Sequence, residues 1–381
     1  MSGIFIPRLL ALDSATLGKL AADYFHQSDH QRKSAREFLS ALEYQGLILS
    51  LSFEHLAELL RHQNDDTVVQ RLMFLQQLKM LAWVKPTQET LLPGSCLDID
   101  LLEVRCVVEQ QTPDHQAVVD SVRQTLWQVG GGGDLIGQVD TFWDVMREAA
   151  RWLGRDSKKT ASIARSDPGS VRNCKLREID GQPLKSLGQY QQAIKSLAAD
   201  MTAQITRHGD KALSDADTVA RNFYEEIQLD MGQMPSTSDD ALTTILAYFG
   251  MSREDVTLDM TIGEVSDLWH FRQHLKLLQR RNKRGKSFGP KDVLPEQLPS
   301  WTFRHQLSLA QNMANRVEGS NLIDVRLSGL ALYADVVEVD KRTAEYLRQL
   351  KRRHSIGDLL NVTFRCSNYP RVIEAIRAAD C

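Results

Sequence analysis

The chain has 381 residues, 42% of them hydrophobic, enough to bury one large core or two ordinary ones and too apolar for a disordered chain. A formal net charge of -3 excludes a protein that coats nucleic acid through bulk positive charge. No stretch reaches the roughly 18 apolar residues of a membrane span, and Asp13 breaks the apolar start with no small-residue cleavage signal, so neither a span nor a leader is expected.

The elements read in chain order as follows. Residues 9–12 are an apolar run that predicts a strand; Leu17, Leu20 and Ala21 then recur at helical spacing, with Ser14 as an N-cap. A helix over 36–44 stops at Gly46, 47–51 is a turn-bounded apolar run, and helices follow over 53–62 and 68–81. This alternation favours an α/β fold with a central parallel sheet. From residue 86 to 299 the pattern becomes mainly helical. It opens with a strand over 101–108, marked by Val104, Val107 and Val108, and continues with helices over 114–128, 140–152, 187–207, 214–230, 239–249 and 265–281. Breaks fall at 130–133, 166–170, 234–238 and 285–299, and there is no internal repeat. The end returns to α/β order: helices over 301–317 and 321–332, a strand over 336–339, a helix over 343–353, a strand over 359–365 and a helix over 371–379. Residues 1–85 and 300–381 therefore read as halves of one domain, interrupted by a helical insertion over 86–299.

The five cysteines (Cys96, Cys106, Cys174, Cys366, Cys381) are widely spaced and never form CxxC pairs, which points to reduced thiols in a cytoplasmic protein. Arg280, Arg281, Lys283, Arg284 and Lys286 make one basic run, and Lys341, Arg342, Arg348, Lys351, Arg352 and Arg353 another. Such runs are ordinarily solvated faces and only support a polyanion partner. Gly130 to Gly133 lacks a following GK[ST] and reads as a hinge. His26 and His30 lack the glutamate of a zinc-protease motif, and Trp143, Trp152, Trp269 and Trp301 read as core packing.

Four acids stand out by position. Asp13 follows an apolar strand, where the carboxyl ends of an α/β sheet open onto a ligand crevice, although a turn or N-cap aspartate looks the same. Glu58 lies on the helix after the second strand, where Leu56, Leu59 and Leu60 supply the packing side and Glu54 allows a plain charged face. If Asn321 caps its helix, Asp324 falls in the first turn, where the helix dipole alone explains an acid. Asp340 ends the strand over 336–339, shares a face with Val336 and Glu338, and emerges at the same sheet edge as Asp13 if the strands are parallel. Asp335 reads as a turn or cap. Several acids converging on one crevice are costly unless a cation neutralises them.

The fragments LLALDSATL, LSFEHLAELLRH, SNLIDVRLSGLALYADV and VEVDKRT, in that order and setting, resemble the PIN-like nuclease superfamily over roughly residues 4–85 and 300–370. In that family an acid ends the first strand, a second lies on a later helix, a third opens the helix before the last core strand and a fourth ends that strand. The resemblance assigns these places to Asp13, Glu58, Asp324 and Asp340. It implies hydrolysis of RNA or single-stranded DNA with Mg²⁺ or Mn²⁺ held by the four carboxylates, leaving a 5′-phosphate and a 3′-hydroxyl. Lys341 and Arg342 would hold the phosphate backbone, and Ser14 would cap its helix or touch metal or substrate. Two features depart from the pattern: Ala15 stands where many members carry a small polar residue, and Glu58 is unusually far from Asp324. By analogy, so large an insertion implies a toxin-like or phage-defence effector governed by a protein partner or by self-association. The alternatives are a non-catalytic PIN-like scaffold that binds RNA or protein, and a nucleotide sensor in the helical middle, which lacks a phosphate loop.

Overall fold

The computed structural model describes residues 7–110, 114–137, 141–165, 172–182, 187–208, 215–232, 241–312 and 320–380. The breaks expected at 166–170 and 234–238, and the end of the helix expected over 301–317, lie outside the described residues. The chain divides into two compact units, one of Met1–Gly154, Leu278–Gln311 and Leu322–Cys381, the other of Arg155–Leu277 and Asn312–Asn321. Residues 86–154 and 278–299 thus belong with the sheet, and the separate unit is shorter than the insertion expected over 86–299.

The first unit opens with β1 (Arg8–Ala11), α1 (Ser14–Tyr24) and α2 (Asp29–Tyr44). Gly46, at φ +68°, reverses the chain after α2 and leads it into β2 (Leu47–Leu51), all five of whose residues are buried. Next come α3 (Phe53–Leu60), α4 (Asp65–Gln77), β3 (Leu81–Val84), α5 (Cys96–Gln110), α6 (His115–Leu126), β4 (Trp127–Gly130), α7 (Gly132–Ile136) and α8 (Thr141–Arg165). The sheet has the order β4-β3-β2-β1-β5-β6, where β5 is Val336–Glu338 and β6 is Val362–Phe364. Every pairing is parallel except β3 with β4. Parallel strands buried on both faces need apolar side chains at every position, which is why β1 and β2 read as unbroken apolar runs.

The chain moves from β1 out to β2 and β3, then returns to lay β5 on the other side of β1. That reversal opens a crevice beyond the carboxyl ends of β1 and β5. Ala11 pairs with Val337, so Asp13 and Asp340 leave the sheet within one residue of the same level. Asp335, just before β5, accepts the Leu9 N–H at 2.7 Å and helps fix this register.

Several elements differ from expectation. Residues 101–108 are not a strand but part of α5, which is buried nearly all round, from Ile99, Leu101 and Val104 to Asp98, Asp100 and Glu103. A helix buried on every side has no amphipathic stripe, so its valines read as β-branched strand residues. Its acids are matched: Arg304 on α13 (Pro299–Asn312) donates to both Asp100 oxygens at 2.8 Å, and Glu103 accepts the Ser300 N–H at 3.0 Å and the Tyr333 hydroxyl. The four-residue strands β3 and β4 fall within or just beyond the ends of the expected helices over 68–81 and 114–128. Gly130 to Gly133 is no hinge, since Gly132 donates to the Leu78 carbonyl at 2.8 Å and any Cβ there would overlap the Leu75 carbonyl oxygen. Trp143 is core, as expected, but Trp152 is exposed.

The second unit contains α9 (Leu187–His208), α10 (Ala216–Gly232), α11 (Ala241–Tyr248) and most of α12 (Ile262–Arg281). Met201, Ile205, Ala220 and Tyr224 form one buried cluster and Leu176, Leu242, Leu246, Met251 and Val265 another. No helix among the described residues is long and apolar enough to cross a membrane.

Candidate active site

Asp13 is the N-cap of α1, its Oδ1 accepting the Ala15 N–H at 2.8 Å, and Ser14 is the first helical residue, not the cap expected from the sequence. Asp340 plays the same part for α15 (Lys341–Arg353), accepting the Thr343 N–H at 2.9 Å and the Thr343 hydroxyl at 3.0 Å. The capping role that competes with a chemical role for these residues is therefore real. It is also compatible with one, because capping fixes each carboxylate at the crevice and aims two helix N-termini, with their partial positive charge, at the acids.

Glu58 sits on α3 with its carboxylate 3.1 Å from the Arg61 guanidinium. Asp324 lies on α14 (Ser320–Ser328), and Asn321 is inside that helix, which puts Asp324 in the second turn and not the first. The four acids from the two ends of the sequence face one another, as their electrostatics record. Burial raises the Asp13 carboxyl, Ala15 and Thr16 N–H groups pull it down, and Asp340 pushes it up again. Burial raises Glu58, with the Ser14 hydroxyl and Arg61 opposing and Asp13 reinforcing. Asp324 is pushed furthest, to about 8, by burial and then by repulsion from Glu58, Asp340 and Asp13. A cleft of about 20 Å³ is lined by Leu12, Asp13, His55, Asp324, Glu338 and Asp340, among others. A larger apolar cavity of about 580 Å³ lies at the amino ends of β1 and β2, near Pro7 and Leu47, and contains none of these acids.

Three residues that the sequence did not single out line or brace the cleft. Glu338, 5% exposed, accepts the Asp13 N–H at 3.2 Å and the Thr16 hydroxyl at 2.9 Å, so it braces the turn that carries Asp13. Burial lifts its carboxyl to about 7, and Asp13 adds to that lift. Thr16, one position beyond Ala15, supplies a hydroxyl to this network. His55, 1% exposed, joins α3 to β1: the Ser52 N–H donates to Nδ1 at 3.0 Å, which places the ring proton on Nε2, where it donates to the Leu12 carbonyl at 3.1 Å. Burial pushes His55 down to about 4, so it remains neutral. A readable signal existed for His55, a polar residue three positions before Glu58 and on the apolar side of its helix. Lys341 and Arg342 are exposed at the start of α15.

The donor set is all oxygen, which suits a hard divalent cation. Among the described residues, no group of three or more His, Cys, Asp or Glu side chains is placed so that it could hold a metal ion directly. Mg²⁺ is commonly held through one or two carboxylates while keeping several waters, and this cluster fits that mode, not a closed protein cage. Fold and cleft together define an α/β protein with a mostly parallel six-stranded sheet and an acidic crevice at its switch point. No family model matches the chain, and neither a curated protein nor a solved structure matches it.

Proposed function

We propose that the protein is a metal-dependent nuclease of the PIN-like type that hydrolyses phosphodiester bonds of RNA or single-stranded DNA. One observation carries this reading: four acids from distant parts of the chain meet beyond the carboxyl ends of β1 and β5, where burial and then repulsion from neighbouring acids raise the carboxyls of Asp13, Glu58 and Asp324. Buried like charges are retained at such cost where a counter-cation is part of the site.

Bound Mg²⁺ or Mn²⁺ would supply the neutralising charge and an acidified water. Asp13 and Asp340, fixed by their capping bonds, are the foremost ligands. Glu58, paired with Arg61, and Asp324 would orient water. Glu338 and His55 hold the turn and strand end that carry Asp13. Lys341 and Arg342 offset the phosphate charge at the mouth of the cleft. In the reaction a water oxygen bonds to phosphorus as the bond from phosphorus to the 3′ oxygen breaks. That oxygen takes a proton, leaving a 3′-hydroxyl and a 5′-phosphate.

The test is incubation of wild-type protein and Asp13→Asn with end-labelled single-stranded RNA and DNA in Mg²⁺, Mn²⁺ or EDTA. Cutting in Mg²⁺ or Mn²⁺ should fall on the order of a hundredfold or more in the variant, and vanish in EDTA. Cutting that survives both changes overturns the reading. A second reading is a non-catalytic PIN-like scaffold that binds RNA or a protein partner. On that reading Mn²⁺ would leave the melting temperature of the wild type unchanged.

A further inference from the structure

We propose that the exposed face of α15 is the track on which single-stranded RNA lies as it leaves the acidic cleft; this rests on the nuclease reading and assigns its substrate surface. Asp340 caps α15, so Lys341, the first helical residue, stands at the edge of the cleft and the helix runs outward from there. Thr343, Leu347 and Leu350 are buried and define the inner side. At about 100° per residue, Lys341, Arg348 and Arg352 fall within about 40° of one another on the opposite side. A rise of about 1.5 Å per residue sets Arg348 and Arg352 roughly 10 and 16 Å along the axis from Lys341. Of the seven exposed charged residues on the helix, Lys341, Arg342, Glu345, Arg348, Lys351, Arg352 and Arg353, only Glu345 is acidic.

Helix electrostatics accounts for half of this pattern. Lys351, Arg352 and Arg353 in the last turn complement the helix dipole, but Lys341 and Arg342 in the first turn oppose it. Cations held against the local field, beside a cluster of carboxylates, are what a polyanion needs to approach a protein of net charge -3. Glu345, paired with Arg348, is the one charge on the track that weakens it.

The test is the salt dependence of binding of a 5′-labelled single-stranded RNA oligonucleotide to the full chain in EDTA, where the strand stays intact. The double variant Arg348→Gln, Arg352→Gln should flatten the slope of log affinity against log salt by about 1.4, at roughly 0.7 per lost phosphate contact. Glu345→Gln should tighten binding roughly twofold, a change of opposite sign that misfolding cannot produce. Lys33→Gln on α2 should leave the slope as it is. An unchanged slope in the double variant, or a slope lost only with an RNA duplex, overturns the track. If Mn²⁺-dependent cutting persists while the slope is unchanged, the track alone is wrong. If the slope falls but no condition gives cutting, the track stands and the nuclease reading fails.

Discussion

His55 has its ring entirely inside the protein and spends both nitrogens on backbone geometry, one on Ser52 and one on Leu12. His55→Ala leaves the Leu12 carbonyl without its partner and should cost about 1–3 kcal/mol in urea unfolding. On the proposed nuclease reading it should also lower cutting, because Leu12 is bonded directly to Asp13. A variant with wild-type stability would show that the Leu12 bond contributes nothing. Asp324 poses the opposite case, a side chain that the apo protein carries at a cost. In EDTA near neutral pH, Asp324→Asn should raise the melting temperature by a few degrees, since burial and then three neighbouring acids lift this carboxyl to about 8, so that folding near pH 7 must protonate it, a cost the amide avoids. Mn²⁺ should then stabilise the wild type more than the variant; a variant that melts lower in EDTA contradicts this cost. Asp13, Glu58, Asp324 and Asp340 are singled out in the sequence by the resemblance, since each alone also reads as a cap, a turn or a charged face. Glu338 could not be singled out, since an acid alternating with valines looks like the solvent face of a strand, whereas the Asp13 turn and α1, through Thr16, cover it.

At the scale of elements, burial decided what could be read. β1 and β2, buried throughout, appear as apolar runs, and α15, with one side wet, appears as a helix. α5 misleads because it is dry all round, and β3 and β4 are too short to interrupt the helical patterns around them. The contact between α7 and α4 has no sequence signal beyond a run of glycines, which also suits a hinge. Space settles the matter at Gly132, which lies against the α4 backbone at Leu75. Gly132→Ala should therefore destabilise by about 3 kcal/mol or more, read as a lower urea midpoint. A hinge would tolerate the substitution.

For the whole molecule, the buried acids set the response to pH. Burial, then repulsion from Asp100, lifts Glu103 to about 7, against the pull of its Ser300 and Tyr333 hydrogen bonds and of Arg304. Its folded-state value is above the unfolded 4.5, so the folded protein holds a proton that the unfolded chain releases between these values. Stability from this group is present in full below 4.5 and is lost as pH rises through about 7. Glu103→Gln should flatten the fall in unfolding free energy between pH 5 and 8; an equally steep fall would assign it elsewhere. The division into two units was legible only in part, because residues 86–154 are helical like the second unit yet complete the sheet domain.

The pairing of β1 with β5 has a further consequence, in the timing of synthesis. A ribosome that has released only the first 311 residues has delivered Asp13 and Glu58, but neither Asp324 nor Asp340. The nascent protein is born without its cleft, and prematurely terminated copies never acquire one. Any property that needs all four acids begins only when the stretch carrying β5 emerges and slots in beside β1.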